Sequence, residues 1–168
     1  TRPETMLGDT AVAVNPKDKR YKNLVSKNVI LPIVEKKIKI IADDYADPEQ
    51  GTGAVKITPA HDFNDYEVGI RNKLEIINIF TEDGKINKNA PSEYVGLDRF
   101  EARKKIMSEL KNKNLFVKDE DIKNKVPYGD RSNSIIEPYL TEQWFADAKK
   151  LSNKAKKIVK SKKTNFFP

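Results

Sequence analysis

A strand ended by a proline and followed at once by a capped helix constrains this fold most strongly. Residues 54–58 alternate with a period of two, and Pro59 ends the run because proline has no backbone N–H to donate to a sheet. Asp62 then begins a helical stretch that runs to about residue 73, with Asp65 at the spacing of a capping box. The segment predicts a strand, a tight turn and a helix in immediate succession.

Most of the other segments are typical of short strands. Strands are predicted at 10–14, at 28–33 and 37–41 as a hairpin with Pro32 favouring an edge position, and at 75–80, 115–118, 125–128 and 134–140, with a loop at 43–53. A helix is predicted to begin at Asp98, and apolar residues at helical spacing predict another after residue 147. This mixture predicts an α+β fold, with a mixed, barrel-like β-sheet core and two or three packed helices.

The excess of positive over negative charge in the chain is confined to its last 23 residues. The 168 residues have a net charge of +7, but residues 1–145 contain 18 lysines and six arginines against 24 carboxylates. Residues 146–168 contain eight lysines and one acid, Asp147. Such a segment is typical of a nucleic-acid contact or of the solvated face of a helix. We therefore expect a neutral body at 1–145 and a basic helical segment at 146–168.

The composition excludes several kinds of chemistry. Without cysteine the chain has no disulfide, thiolate metal site or thiol nucleophile, and the single His61 leaves no multi-histidine metal cluster. The glycines at 51 and 53 are not followed by the Gly-Lys-Ser/Thr of a phosphate loop. No apolar run approaches the roughly 18–20 residues that span a bilayer. We expect a cytoplasmic protein that makes no membrane contact, with no metal in this region.

Polar side chains concentrate around the proline turn. Lys56 and Thr58 share one strand face, His61 lies in the turn, and Asp62 and Asp65 stand at the helix start. Carboxylates there could hold an ammonium group, and a lysine could hold an oxyanion or a phosphate. Each residue also has a structural explanation, as a helix cap, an exposed strand lysine or a local hydrogen-bonding histidine.

Motifs spread along the whole chain carry a family resemblance. They are GTGAVKITPAHDFNDYEVG at 51–69, TRPETMLGD at 1–9, GLDRFEAR at 96–103, and RS, EPYL and QWF between 131 and 145. Together they resemble the editing domain inserted in valyl-tRNA synthetase, a class I aminoacyl-tRNA synthetase. The isoleucine and leucine enzymes share the fold, but Lys56, Thr58 and Asp62 favour valine. The resemblance makes residues 1–145 the editing domain of a larger protein and 146–168 the segment that leads back to its synthetic domain.

The resemblance implies an activity and its partners. The domain would hydrolyse the ester of threonyl-tRNA(Val) by water attack, because a synthetic pocket cannot strongly reject an isostere that adds a hydroxyl. The partners would be the 3′ end of tRNA(Val) carrying threonine and the rest of the synthetase. No cofactor is expected in this domain, since ATP and Mg²⁺ act in the synthetic domain. We expect the isolated fragment to deacylate slowly.

Residue roles are also carried by the resemblance. It implies catalytic roles for four residues, Lys56, Thr58, Asp62 and Asp65, and substrate contacts for six, Thr1, Arg2, Thr5, Gln50, Gly53 and His61. Asp65 would anchor the α-ammonium, Asp62 and Thr58 would read the threonine hydroxyl or place the water, and Lys56 and Arg2 would face the adenosine or the ester oxygen. The family often has an aromatic residue at the position of Gln50. The proton-transfer group stays open between His61, a carboxylate and a ribose hydroxyl.

Two alternatives stay open at this point. The chain could be a tRNA-binding insertion without catalysis, whose lysine-rich tail contacts phosphates, and Gln50 would then be a sign of lost activity. It could also be the editing domain of the isoleucine or leucine enzyme.

Overall fold

A computed structural model describes residues 2–120 and 125–164 of the chain. Its strands are β1 (Ala11–Val14), β2 (Asn28–Ile30), β3 (Lys37–Ala42) and β4 (Ala54–Ile57), and its helices are α1 (Phe63–Arg71), α2 (Arg99–Asn112) and α3 (Ala148–Lys160). Two short 3₁₀ helices, Pro3–Gly8 and Ser92–Tyr94, complete the regular structure. The prediction of an α+β fold is confirmed, as are the first four strands and the three helices.

The four strands form one mixed sheet in the order β2-β3-β1-β4. β2 and β3 form the predicted antiparallel hairpin, β1 runs parallel to β3, and β4 runs antiparallel to β1 with Val12 opposite Lys56. Because side chains alternate along a strand, Val55 and Ile57 lie on one face of β4 while Lys56 lies on the other. This alternation places Lys56 on the face of the sheet opposite to the one on which Ile57 packs against Val68 of the following helix.

The predicted barrel-like closure of the sheet is wrong. The sheet is open, with β2 and β4 as its edges, and these strands contain only three and four residues. Closing a barrel takes more strands, each tilted and staggered against its neighbours. Instead, helix α1 packs on one face of the open sheet against β1 and β4.

Close packing and an ion pair hold α1 in place. Val68 of α1 is buried with Ala11, Ala13 and Ile57 of the sheet. A Cβ at Gly69 would lie 2.8 Å from the Pro59 ring, so only glycine permits this approach. At the same C-terminal end of the helix, the Arg71 guanidinium donates two hydrogen bonds to Asp43, of 2.8 and 2.6 Å, and lowers the pKa of that carboxyl. The C-terminal half of helix α1 is therefore anchored to the sheet and to the loop that contains Asp43.

A second apolar cluster lies between the first 3₁₀ helix and α2. Leu7 packs there with Ile79, Phe80, Tyr94 and Ile106. The same 3₁₀ helix carries Glu4, which is fully buried and accepts two hydrogen bonds, of 2.7 and 2.8 Å, from the Arg103 guanidinium of α2. The N-terminal residues are thus held between helix and sheet.

The strand predicted at 75–80 is absent, and this prediction is wrong. Only an isolated bridge joins Phe80 to Ile86. Side chains take the place of a neighbouring strand: the Ile79 N–H donates to the His61 ring at 3.0 Å, and the Phe80 N–H donates to the Asn78 side chain at 2.9 Å. The Asn87 amide donates to the Asn78 and Phe80 carbonyls. The apolar pattern therefore reflects burial and not strand pairing.

The strands predicted at 115–118 and 125–128 are also wrong. Among the described residues this region has no strand, and an isolated bridge between Tyr128 and Ile135 is its only ladder contact. The run at 134–140 is irregular but contributes side chains to the body. Helix α3 forms as predicted and has no buried residue, while residues 165–168 lie outside the described structure. The division of the chain at residue 145 stays a prediction.

None of the described helices is both long and apolar enough to cross a membrane.

The Glu4–Arg103 pair allows a stability test. Arg103→Met leaves a fully buried carboxylate without its cation, and we expect a loss of about 3 kcal/mol in the free energy of unfolding, measured by urea denaturation. The matched variant Lys36→Met breaks an exposed ion pair with Glu75 at 2.7 Å, and we expect it to cost less than about 1 kcal/mol. Equal losses in the two variants would contradict this assignment.

Candidate active site

The predicted strand, turn and helix bring two carboxylates to one helix N-terminus. Asp62 is the N-cap of α1 and accepts hydrogen bonds from the N–H groups of Asn64 at 2.8 Å and Asp65 at 3.1 Å. Asp65 does not complete a capping box, because its Oδ2 accepts the Thr58 N–H at 2.8 Å. That bond ties the helix start to the end of β4.

Lys56 lies in a cluster of oxygen acceptors. Its Nζ donates to Thr5 Oγ1 at 2.9 Å, to Asp9 Oδ1 at 3.3 Å and, in a short contact, to Thr58 Oγ1. An ammonium group has three N–H donors, so all three are occupied. Its side chain is 24% exposed, whereas that of Asp9 is 3% exposed. The cation therefore stands at the border between the interior and solvent.

Asp9 is the buried partner of this cluster. Its Oδ1 accepts the Thr58 hydroxyl at 2.5 Å in addition to the Lys56 ammonium. Burial raises the pKa of Asp9 to about 6, and the nearby Lys56 and Thr58 lower it again in part. At neutral pH Asp9 is ionised and forms a charge pair with Lys56.

Asp62 and Asp65 lie beside this pair without a cation of their own. Within residues 2–120 and 125–164, no lysine or arginine nitrogen lies within 4.0 Å of either carboxylate. Burial raises the pKa of Asp65, and the charge of Asp62 raises it further. Burial raises the pKa of the half-exposed Tyr45, and the nearby charges of Asp65 and Asp62 raise it further. The two acids thus form a negative site at the edge of the interior.

Arg2 faces the carboxylate pair but is bound elsewhere. Its guanidinium forms a short ion pair with Glu137 and donates to the backbone carbonyl of His61. Glu137 also pairs with Arg99 at 3.2 Å. Burial lowers the pKa of Arg2, and the charges of Asp62 and Asp65 raise it in part. Glu137 therefore holds the arginine next to the two acids.

His61 lies below this surface with its ring buried. Its Nε2 accepts the Ile79 N–H, and its ring contacts Phe80 with 4.6 Å between centroids. Burial lowers the pKa of His61 to about 4, helped by the charges of Arg2 and Lys56. The ring is therefore neutral at physiological pH, and its carbonyl is the part that meets Arg2.

Of the remaining residues implied by the resemblance, one joins the Lys56 cluster and two form no hydrogen bond to it in the described part of the chain. Thr5 is buried and joins the Lys56 cluster. Gln50 is exposed, and Gly53 lies against the side chains of Arg20 and Asp18; among the described contacts neither hydrogen-bonds to the Lys56 cluster. Thr1 lies outside the described residues. The roles assigned to all ten residues stay predictions.

Three residues of the site carry no role in the sequence analysis. Asp9 is buried under Lys56, Glu137 holds Arg2, and Tyr45 stands beside the acids. An acid directly before the strand predicted at 10–14 is the available signal for Asp9, because β1 pairs with β4 and the Thr10 N–H donates to the Ile57 carbonyl at 3.0 Å. Glu137 and Tyr45 come from irregular segments whose packing no local pattern predicts.

The arrangement suits recognition of a cation beside a polar group. Two carboxylates without a cationic partner can bind an ammonium group with charge-assisted hydrogen bonds. Lys56 and Arg2 supply positive charge on neighbouring sides, where an anionic or oxygen-rich group would lie. A ligand with an amine next to an ester or phosphate fits this distribution of charge.

Sequence comparison places the chain among synthetase domains. The family model described as "Leucyl-tRNA synthetase, editing domain" matches residues 17–117. A valine–tRNA ligase of Pelagibacter ubique is 80% identical over the whole chain, and one of Caulobacter vibrioides is 58% identical. The chain spans 19% and 18% of the length of these relatives.

Solved structures agree in fold. The crystal structure of GlLeuRS-CP1 has a TM-score of 0.53 and 14% identity, with 74% of this chain and 82% of that chain covered. A LeuRS of Agrobacterium radiobacter, in a ternary complex with tRNA and LeuAMS, has a TM-score of 0.50 and 18% identity, with 67% of this chain and 16% of that chain covered. At these identities the likeness concerns the fold alone.

Asp9 and His61 have opposite effects on the pH dependence of stability. The pKa of Asp9 is raised in the folded state, so its contribution to stability is full below the ordinary value of 3.8 and is lost as pH rises towards 6. The pKa of His61 is lowered, so its contribution is full above the ordinary value of 6.5 and is lost as pH falls towards 4. The two contributions oppose each other between about pH 4 and 6.

Single substitutions should separate these two contributions. Relative to the unchanged chain, the free energy of unfolding of Asp9→Asn should rise as pH increases from about 4 to 6, and that of His61→Gln should fall. Urea denaturation across this range measures both, with the exposed Asp44→Asn as the control for loss of a carboxylate. Differences of the same sign in the two variants would contradict the assigned pKa shifts.

Proposed function

This chain belongs to the leucyl-tRNA synthetase editing-domain family, and we propose that it serves a valine–tRNA ligase by hydrolysing threonyl-tRNA(Val). The family predicted from the sequence motifs is confirmed by the match over residues 17–117 and by relatives named valine–tRNA ligase along the whole chain. The general activity of an editing domain in a tRNA ligase is the hydrolysis of aminoacyl-tRNA. The identity of the amino acid and the roles of single residues are parts of the proposal.

The pair of carboxylates without a cation carries the proposal. An aminoacyl ester presents an α-ammonium beside its carbonyl, and Asp65 offers a largely desolvated carboxylate for that charge. Its Oδ2 is occupied by the Thr58 N–H, so the carboxylate is oriented before the substrate arrives. Charge-assisted bonds of this kind are stronger than neutral ones. We therefore assign Asp65 to the α-ammonium.

Asp62 is assigned to the threonine hydroxyl or to the attacking water. The residue is exposed, and its Oδ1 serves the helix N-terminus while no described donor occupies Oδ2. Valine presents a methyl group in place of the hydroxyl and cannot donate a hydrogen bond to this acceptor. Thr58 lies behind this surface with its hydroxyl engaged by Asp9 and Lys56, so its contribution is to support the two carboxylates.

The proposed reaction needs no covalent bond between the enzyme and the substrate. The oxygen of a water molecule attacks the ester carbonyl, the bond to the ribose oxygen breaks, and that oxygen takes up the proton released by the water. Positive charge from Lys56 and Arg2 favours the oxyanion that forms at the carbonyl. His61 is neutral and buried, with Nε2 occupied by the Ile79 N–H. We therefore favour a carboxylate or a ribose hydroxyl as the group that moves the proton.

The rest of the proposal concerns the parent enzyme. The partners are the 3′ end of tRNA(Val) and the remainder of the ligase, in the cytoplasm, and ATP and Mg²⁺ belong to the synthetic reaction carried out elsewhere in that protein. The basic helix α3 has no buried residue and contributes six exposed lysines to the net positive charge of the chain. The proposal gives the editing site itself no cofactor.

Asp65→Asn in the full-length ligase tests the assigned activity. The amide oxygen can still accept the Thr58 N–H, but the charge that binds the α-ammonium is lost, so we expect deacylation of threonyl-tRNA(Val) to slow about 10- to 100-fold. Loss of the ester measures the effect, with valine charging as the test of an intact synthetic site and Asp44→Asn as the matched control. An unchanged rate would refute the role of Asp65, and no ester loss in the unchanged ligase would refute the proposed function.

Discrimination between amino acids tests the role of Asp62. We expect the unchanged ligase to deacylate threonyl-tRNA(Val) at least about 100-fold faster than valyl-tRNA(Val), since a site built for a hydroxyl rejects the analogue that lacks it. Asp62→Ala should narrow this ratio, because the variant slows deacylation of threonyl-tRNA(Val) more than deacylation of valyl-tRNA(Val). A ratio that does not change in Asp62→Ala would assign the hydroxyl to another group.

A further inference from the structure

Thr58 joins two carboxylates that have different surroundings. Its hydroxyl donates to Asp9 at 2.5 Å, and its backbone N–H donates to Asp65 at 2.8 Å. Lys56, two residues earlier on the same strand face, hydrogen-bonds only to Asp9 of these two acids. Through Thr58, the Lys56 ammonium is close to two carboxylates but forms a hydrogen bond with only one of them.

All three N–H donors of the Lys56 ammonium are used in the cluster that contains Asp9. Its three N–H donors meet oxygens of Thr5, Asp9 and Thr58, and only Asp9 among them carries a charge. The charge of Lys56 still acts on Asp65, since it lowers the pKa of that carboxyl against the larger effect of burial. In such surroundings an unanchored ammonium would be drawn to the partly buried carboxylate of Asp65.

We infer that Asp9 is a positioning residue that holds the Lys56 ammonium away from Asp65 and thereby keeps Asp65 available for the α-ammonium of the substrate. This inference rests on the function proposed above, in which Asp65 binds that group. A neutral acceptor at position 9 would still satisfy the Thr58 hydroxyl but would not compete with Asp65 for the cation. The charge of Asp9, and not only its hydrogen bond, is what the site uses.

The cost of burying Asp9 supports a role for its charge. Asp9 is almost fully buried, and Lys56 is the only cation within 4.0 Å of it among the residues that the structure describes. A buried carboxylate is unfavourable unless a cation and hydrogen bonds compensate it. An asparagine would make the same contact with Thr58 without that cost, so hydrogen bonding to Thr58 does not account for a carboxylate here.

The experiment compares two ligands that differ only in the α-amino group. The probes are the stable amide of threonine with an aminodeoxyadenosine and the matching amide of 3-hydroxybutyric acid, each titrated against the full-length ligase by calorimetry. The ratio of their dissociation constants reports how strongly the enzyme binds the amine. For the unchanged ligase we expect the threonine amide to bind about tenfold tighter or more.

Asp9→Asn should bring this ratio close to one, because Lys56 turns to Asp65 and takes the place of the amine. The double variant Asp9→Asn with Lys56→Met should restore the preference, since the competing cation is gone. General damage to the site would weaken both probes equally and leave the ratio unchanged. Asp83→Asn, which removes an exposed carboxylate paired with Lys85 at 2.8 Å, is the matched control and should keep the full ratio.

The outcomes separate this inference from the proposed function. An unchanged ratio in Asp9→Asn, or a ratio that stays near one in the double variant, overturns the role of Asp9 while the editing activity stands. An unchanged ligase that shows no preference for the amine overturns the assignment of Asp65 itself. Since the double variant is judged by a ratio, a uniform loss of affinity in it does not imitate restoration.

Discussion

The partly buried ammonium of Lys56 is the interaction on which the arrangement of the site depends. A lysine drawn to the edge of the interior needs an anionic partner and acceptors for its three N–H donors. Those acceptors come from Thr5 in the first 3₁₀ helix, Asp9 before β1 and Thr58 after β4. Satisfying one side chain therefore joins the N-terminal segment 5–9 to the end of β4, which is distant from it in the sequence, and these two segments form the floor of the site.

Ion pairs of the same kind hold the surrounding elements. Glu4 is fully buried and binds Arg103 of α2, Asp43 binds Arg71 at the end of α1, and Glu137 binds Arg2. Each of these cations has a carboxylate partner, whereas Asp62 and Asp65 have no cationic partner within the described part of the chain. The proposed specificity follows from this imbalance, because an incoming α-ammonium supplies the missing charge. The net charge of the chain does not reveal this specificity, since the excess of lysines lies in residues 146–168.

Local patterns predicted the parts of the fold that are stabilised locally. Pro59 ends β4 and Asp62 caps α1 as expected, and the β2–β3 hairpin and α2 form where their patterns place them. The apolar residues at 75–80 instead meet side-chain partners such as His61 and Asn87, so burial gave a strand-like pattern without a strand. The open sheet was not predictable either, because closure depends on how many segments pair across the fold and not on any one of them.

The amino-acid sequence by itself determined the strand, turn and helix around Pro59, the position of Asp62 at the helix N-terminus and the membership of a synthetase editing-domain family. Those features depend on residues close together in the chain or on motifs read in order. Tertiary structure alone decided that Asp65 binds the end of β4, that Asp9 pairs with Lys56 and that His61 is neutral. The physical reason is that charge states and partners depend on burial and on contacts between distant segments, which local spacing does not encode.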